Sequence, residues 1–258
     1  MTDVLAAEWC KLRTVRSTAA LAGAVALFLA LCLAWSWYVT RYWDGLPAGR
    51  QATAQAAPPE LPLATSLPVC AVVLGALTIT SEYASGMNRT SLAAVPRRLT
   101  LFTAKGAVAG AAMLAAALVS LAAGSAGGNA IVGDRAVPTF QAPAADVAIH
   151  LLALGFTTAA TTLITFGLGA VLRSTAATIA SGMVVLMVLP ALARPLPSPW
   201  DERIWSVMPG NLAAQIAGTP GSAADHGVLS APAAVLLLVA YAALSLGAGA
   251  YAFTRRDA

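Results

Sequence analysis

Charged side chains make up only 10% of this 258-residue sequence, less than half the share usual in soluble domains. Their scarcity is concentrated. Six apolar stretches contain no Asp, Glu, Lys or Arg at all: Ala19 to Val39, Leu63 to Thr80, Gly106 to Ala126, Val147 to Leu172, Ala176 to Leu192 and Ala231 to Phe253. Other absences narrow the chemistry. There are three cysteines, Cys10, Cys32 and Cys70, without a C-x-x-C pair or a histidine at ligand spacing. That argues against a disulfide framework and against a metal site. The dipeptide Gly-Lys is missing, so no phosphate-cradling G-x-x-x-x-G-K-[ST] loop is encoded. The two histidines, His150 and His226, stand far apart and neither begins H-E-x-x-H; G-x-S-x-G is absent too. Asp201 and Glu202 are adjacent, and adjacent residues do not face each other on a helix. With no catalytic set, the chain is not expected to be an enzyme or to bind a cofactor itself.

What is present is hydrophobicity: 59% of the residues are apolar and the mean hydropathy is +0.76. A stretch of ~20 apolar residues crosses the ~30 Å hydrocarbon core of a bilayer as a helix. Helices alone satisfy their backbone hydrogen bonds there without closing a barrel. The sequence therefore predicts an all-α integral membrane protein, one domain over residues 1–258 with six spans at the six stretches above. The fourth and fifth are separated only by Arg173, Ser174 and Thr175. Joined, they would far exceed any bilayer thickness, so they are split at Arg173. The first stretch is read as a retained anchor. It is too long for a signal-peptide core, and the run Ala34-Trp35-Ser36-Trp37-Tyr38 is made bulky by Trp35, Trp37 and Tyr38 where cleavage wants small residues. Trp35, Trp37, Tyr38, Tyr42 and Trp43 suit an outer aromatic belt.

Basic residues set the orientation. Six spans put both termini on one side, and ten of the fifteen Lys and Arg fall there; four of the eleven acids do. The expectation is a multi-pass protein of the cell membrane with cytoplasmic termini. The net charge of +4 then reflects topology and contact with anionic lipid, with no nucleic-acid partner implied. Asn88-Arg89-Thr90 matches a glycosylation pattern but lies on the expected cytoplasmic side.

Three segments outside the spans carry information. In the leader, Leu5, Trp9 and Leu12 share one helical face opposite Asp3 and Lys11, and Arg13 and Arg16 reach for phosphates. An amphipathic helix in the cytoplasmic interface follows, with Trp9, Lys11, Arg13, Arg16 and, at the start of the third span, Lys105 as membrane-interface residues. The longest outer loop, 193–230, contains Ser198-Pro199-Trp200-Asp201, the form of a capped helix start. Trp200, Ile204 and Val207 then share a face that either dips into the outer surface or simply caps a loop. The cytoplasmic loop 82–105 is the only inner one with internal apolar residues. Leu92 and Val95 lie one helical step apart, Pro96 ends the element, and Arg89, Arg97 and Arg98 flank it. Apolar positions ringed by charge suit a docking surface; an ordinary basic inner loop would look similar.

This loop resembles the first cytoplasmic loop of permease subunits of ATP-binding-cassette exporters, type 2 class, which runs from a Glu through a Gly to a Pro-Arg-type turn and a Lys. Here those positions are Glu82, Gly86, Pro96, Arg97, Arg98 and Lys105. Glu8-Trp9-Cys10-Lys11-Leu12-Arg13 resembles the family's amphipathic leader, and Tyr251-Ala252-Phe253-Thr254-Arg255-Arg256-Asp257 its tail. The resemblance covers the whole chain. It implies a homodimer of permease chains above two separate ATPase subunits, which hold the ATP and Mg. The loop 82–98 would be the coupling helix, with Glu82, Gly86, Arg89, Leu92, Pro96, Arg97 and Arg98 facing the ATPase. Trp200 and Ile204 would line an outer gate. Two other readings share the topology. A non-transporting scaffold or immunity protein would lack an ATPase partner. A secondary transporter would need intramembrane charges or broken helices, for which only His150, Pro68 and Pro190 offer themselves.

Overall fold

A computed structural model describes residues 2–51, 56–85, 97–193, 195–218 and 229–255. They form an all-α integral membrane protein, with no strand among the described residues and six helices long and apolar enough to span a bilayer. In chain order the described helices longer than four residues are α1 (Thr2–Thr14), α2 (Arg16–Asp44), α3 (Leu61–Ser85), α4 (Arg98–Val132), α5 (Ala144–Leu172), α6 (Thr175–Ala193), α7 (Trp200–Val207), α8 (Leu212–Ala217) and α9 (Ala231–Arg255). The spans are α2, α3, α4, α5, α6 and α9. Each contains one of the six uncharged stretches, and α2, α3 and α4 overrun theirs by a turn or more. At ~1.5 Å per residue, the 35 residues of α4 exceed the ~30 Å hydrocarbon core. The first two turns of α4, Arg98 to Lys105, therefore stand at the membrane edge on the side of the termini.

The separation of the fourth and fifth spans at Arg173 is present. Arg173 adopts the left-handed conformation (φ 54°), and its N–H donates to the Gly169 carbonyl at 2.9 Å, closing the helix end. Ser174 Oγ then accepts from the Ala177 N–H at 3.4 Å and starts α6. The two span prolines behave differently. Pro68 leaves α3 continuous. Pro190 follows a π-helical stretch, Val184–Val188; it has no N–H for the carbonyl four residues back, that of Leu186, and the widened turn takes in that residue.

α5 is the central helix and packs on α3, α4 and α9. Small residues let the helices approach, as the sequence pattern suggests. Gly106 and Gly110 of α4 face Phe166 and Leu163 of α5, and Gly124 and Gly128 face Leu63 and Pro59, so both G-x-x-x-G pairs pack within the chain. Cys32, Leu67, Cys70, Met113 and Leu121 knit α2, α3 and α4 together; all three cysteines are free thiols. Towards the side of the termini, Phe102, Phe166 and Phe253 join α4, α5 and α9, with ring centroids 4.8 and 5.6 Å apart. α2, α6 and α9 are peripheral and leave Leu27, Met187, Leu192, Leu236 and Leu244 exposed. Such faces suit acyl chains or another membrane helix.

The far side differs from the sequence reading in three places. The aromatic belt divides: Trp37, Tyr38 and Tyr42 face outward, whereas Trp43 is buried with Val39, Val132 and Val137, and Trp35 donates its Nε1–H to the Ala57 carbonyl. Ser198 does not cap α7; Pro199 holds that position and no side-chain cap bond forms. Finally, α7 is not the part of the 193–230 loop that packs deepest in the bundle. Trp200 is exposed, with Arg203 over its ring, and Ile204 is half-buried. The buried helix is the next one, α8, where Leu212 packs against Ala160, Ala234 and Leu238. Gln215 fixes it by donating to the Ser206 carbonyl and accepting from the Leu229 N–H. The sequence signal was a helix start, which marks where a helix begins and not how deep it sits.

Candidate functional site

α1 meets the bundle along Val4, Glu8 and Leu12, one residue per turn, with Lys11 beside them. Trp9 is exposed, together with Arg13 and Arg16, while Lys11 turns inward. A buried acid on the inward face of a leader helix requires a partner, and Glu8 finds two. Its Oε2 accepts from Lys105 Nζ at 2.5 Å and its Oε1 from Lys11 Nζ at 2.7 Å. Glu82, at the end of α3, completes the cluster: its Oε1 accepts from Lys105 at 2.7 Å and from Lys11 at 3.2 Å.

Two carboxylates and two ammonium groups thus alternate around a ring that draws on α1, α3 and α4. Glu8, Glu82 and Lys105 are buried, and Lys11 forms the outer member. Lys105 was expected to be a membrane-interface residue; at 2% exposure it is an interior residue. The reason is its place on α4. One turn earlier, Phe102 is packed on Phe166 and Phe253, which directs this face of α4 inward. Burial by itself would raise the Glu8 carboxyl, but Lys105 and Lys11 outweigh it and hold Glu8 below its ordinary value of about 4.5. Burial would likewise lower Lys11, but Glu8 and Glu82 outweigh it and hold Lys11 above its ordinary value of about 10.5.

A carboxyl held low contributes stability that is present above its unfolded value and lost as pH falls through the folded one. Thermal unfolding in detergent should therefore show an acid limb that steepens below about pH 4.5. In Glu8→Gln that limb should be flatter, with a lower plateau at neutral pH. An acid limb of equal steepness in both proteins would show that Glu8 is not a group that carries it.

The cluster stands at the base of the segment 86–96. Two further contacts tie that base to the remaining spans. Arg173, in the α5–α6 turn, lies over the Tyr83 ring at 5.0 Å. Arg98 donates to the Thr254 carbonyl near the end of α9 at 3.4 Å. Helices α1, α3, α4, α5 and α9, and the connection into α6, thus converge where the chain leaves α3 and enters α4. Of the docking residues expected, Arg97 is exposed and Arg98 half-buried; Gly86, Arg89, Leu92 and Pro96 lie outside the described residues. Glu8, Tyr83 and Arg173 were not singled out. The i, i+3 pair Glu8 and Lys11 was a visible signal for the first of these.

On the far side, His150 Nε2 stands 3.8 Å from Glu60 Oε1, and Arg135 forms an exposed two-pronged pair with Asp44 at 2.8 and 3.0 Å. An exposed pair of this kind adds little stability. Among the described residues no group of three His, Cys, Asp or Glu side chains is placed to hold a metal ion. No protein-family model matches the chain, and no curated protein matches it.

Proposed function

We propose that the chain is the membrane-spanning subunit of an ATP-driven exporter of the ATP-binding-cassette type 2 class, working as a homodimer with separate ATPase subunits that carry ATP and Mg. The observation that supports this most is the convergence just described. A segment bearing the docking residues Arg89, Leu92, Pro96 and Arg97 is rooted in one charged cluster at both of its ends, through Glu82 and Lys105. The residues that flank the segment are tied by these contacts to α1 and to four of the spans. A switching step of rigid-body type requires such ties between the docking site and the spans.

In this reading the termini are cytoplasmic and the protein is in the cell membrane. α1 lies along the inner surface with Trp9, Arg13 and Arg16 toward headgroups. The exposed apolar faces of α6 and α9 meet lipid or the second permease chain. α7, with Trp200 and Ile204, and the deeper α8 stand at the outer end of the path. The chain has no enzymatic step of its own.

The test is purification of the tagged chain in mild detergent with everything that accompanies it. An ATPase subunit should co-purify in equal amount and be lost with Leu92→Asp or Arg97→Glu. Glu82→Gln should retain the ATPase while transport falls at least tenfold. A chain that purifies without a nucleotide-binding partner even after crosslinking would overturn the proposal in favour of a scaffold or immunity protein.

A further inference from the structure

A cavity of about 330 Å³ opens between the α1–α2 junction and the lower half of α3, within the size range of small-ligand sites. Its lining is graded along the membrane normal. Leu21 of α2 and Leu74 and Leu77 of α3 form the deep end. Thr14, Ser17, Thr18 and Ser81 lie nearer the surface, and the Glu8, Lys11, Glu82 and Lys105 cluster closes the shallow end. From Glu82 to Leu74 is eight residues of helix, or ~12 Å, close to the ~15 Å half-thickness of a bilayer core. The junction also concentrates positive charge. Lys11, Lys105, Arg13 and Arg16 stand there against Glu8 and Glu82, and both arginines are exposed.

The position of the helix break explains the cavity. Val15 is extended (ψ 130°) between α1 and α2, so α1 turns away and packs on α4 while α2 rises into the membrane. The wedge between them is walled by α3 through Leu74, Leu77, Thr78, Ser81 and Glu82.

We propose that this cavity is a binding site for one anionic phospholipid of the leaflet on the side of the termini. An acyl chain occupies the Leu21, Leu74 and Leu77 end, and the phosphate lies at the mouth beside Lys11, Ser17 and Thr18, with Arg13 and Arg16 at its rim. Depth, polarity gradient and charge all match an amphiphile standing upright in the bilayer, whereas a water-soluble anion would leave the apolar half unfilled. The inference rests on the cavity alone and holds whether or not the chain belongs to an exporter. Because α1 forms one wall, the lipid would hold the leader helix against α3 and α4.

The full chain in detergent, titrated with phosphatidylglycerol and separately with phosphatidylcholine and followed by native mass spectrometry, tests it. One phosphatidylglycerol should be retained per chain, with roughly tenfold preference over phosphatidylcholine, since each basic residue near the surface favours anionic lipid. Leu77→Trp fills the deep end and should reduce retention about tenfold; Thr18→Phe, from the α2 wall, should do the same. Leu27→Trp, on the exposed face of α2, should leave retention unchanged. Equal retention in all three variants, or equal binding of the two lipids, would overturn the assignment. Binding of inorganic phosphate alone with the same competition by Leu77→Trp would overturn it too, since the acyl chain would then be unnecessary.

Discussion

Lys105→Met should destabilise the protein by about 3–5 kcal/mol, the usual cost of removing one partner from a buried ion cluster. The cluster itself need not be strongly favourable, because taking charges out of water offsets much of what they gain from one another. Its removal in part is what costs. Without Lys105, the buried carboxylates of Glu8 and Glu82 lose the buried one of the two ammonium groups that bond both, at 2.5 and 2.7 Å. Lys11 remains, but it is the outer member and screened by solvent. Adding Glu82→Gln to Lys105→Met should restore part of the loss, because one buried negative charge then disappears with the positive one. Thermal unfolding in one detergent across wild type, both single variants and the double completes the cycle. Additive losses would mean that the two residues do not interact. Replacing exposed Arg13 by Met in parallel should cost less than 1 kcal/mol.

Gly75→Ala should be strongly damaging for a single-methyl change. A Cβ at Gly75 would run into Thr165 Oγ1 and the Thr162 carbonyl oxygen of α5. The hydroxyl could rotate aside, but the carbonyl belongs to the backbone of the central helix and cannot move without shifting the α3–α5 crossing. Overfilling a packed interior costs about 1–3 kcal/mol, and this site belongs at or above the upper end. Gly23→Ala on α2 is the comparison, since a Cβ there meets nothing within 4 Å. Alanine favours a helix interior over glycine by about 0.5–1 kcal/mol, so Gly23→Ala should be neutral or stabilising. Yield of monodisperse protein and unfolding temperature in detergent report both. Comparable behaviour of the two variants would show that α3 and α5 do not cross as closely as described.

Much of this fold was legible because the bilayer imposes one simple condition. A helix that crosses hydrocarbon cannot carry scattered charges, so the six uncharged stretches mark the spans, and Arg173 marks the break between the fourth and fifth. The extra turns on α2 and α4 were not legible, since a helix continues past the hydrocarbon until another signal stops it. The leader was read as a helix, but the inward turn of Glu8 and Lys11 onto the bundle was not legible. Leu5, Trp9 and Leu12 make the more hydrophobic face, and hydrophobicity alone does not distinguish a face toward lipid from one toward protein.

The charged cluster shows the same limit at the site. Glu8, Lys11, Glu82 and Lys105 each stand at the edge of an apolar stretch, where a charge serves equally well as a topology marker or a buried partner. Nothing in their spacing says that residues 71 and 97 positions apart meet. The sequence by itself determined the number of spans and hence that the two termini share one side, because these depend on composition along the chain. Only the tertiary structure decided that Lys105 faces Glu8 and Glu82 rather than lipid. That choice was made by packing, when Phe102 lodged against Phe166 and Phe253 and turned the next turn of α4 inward.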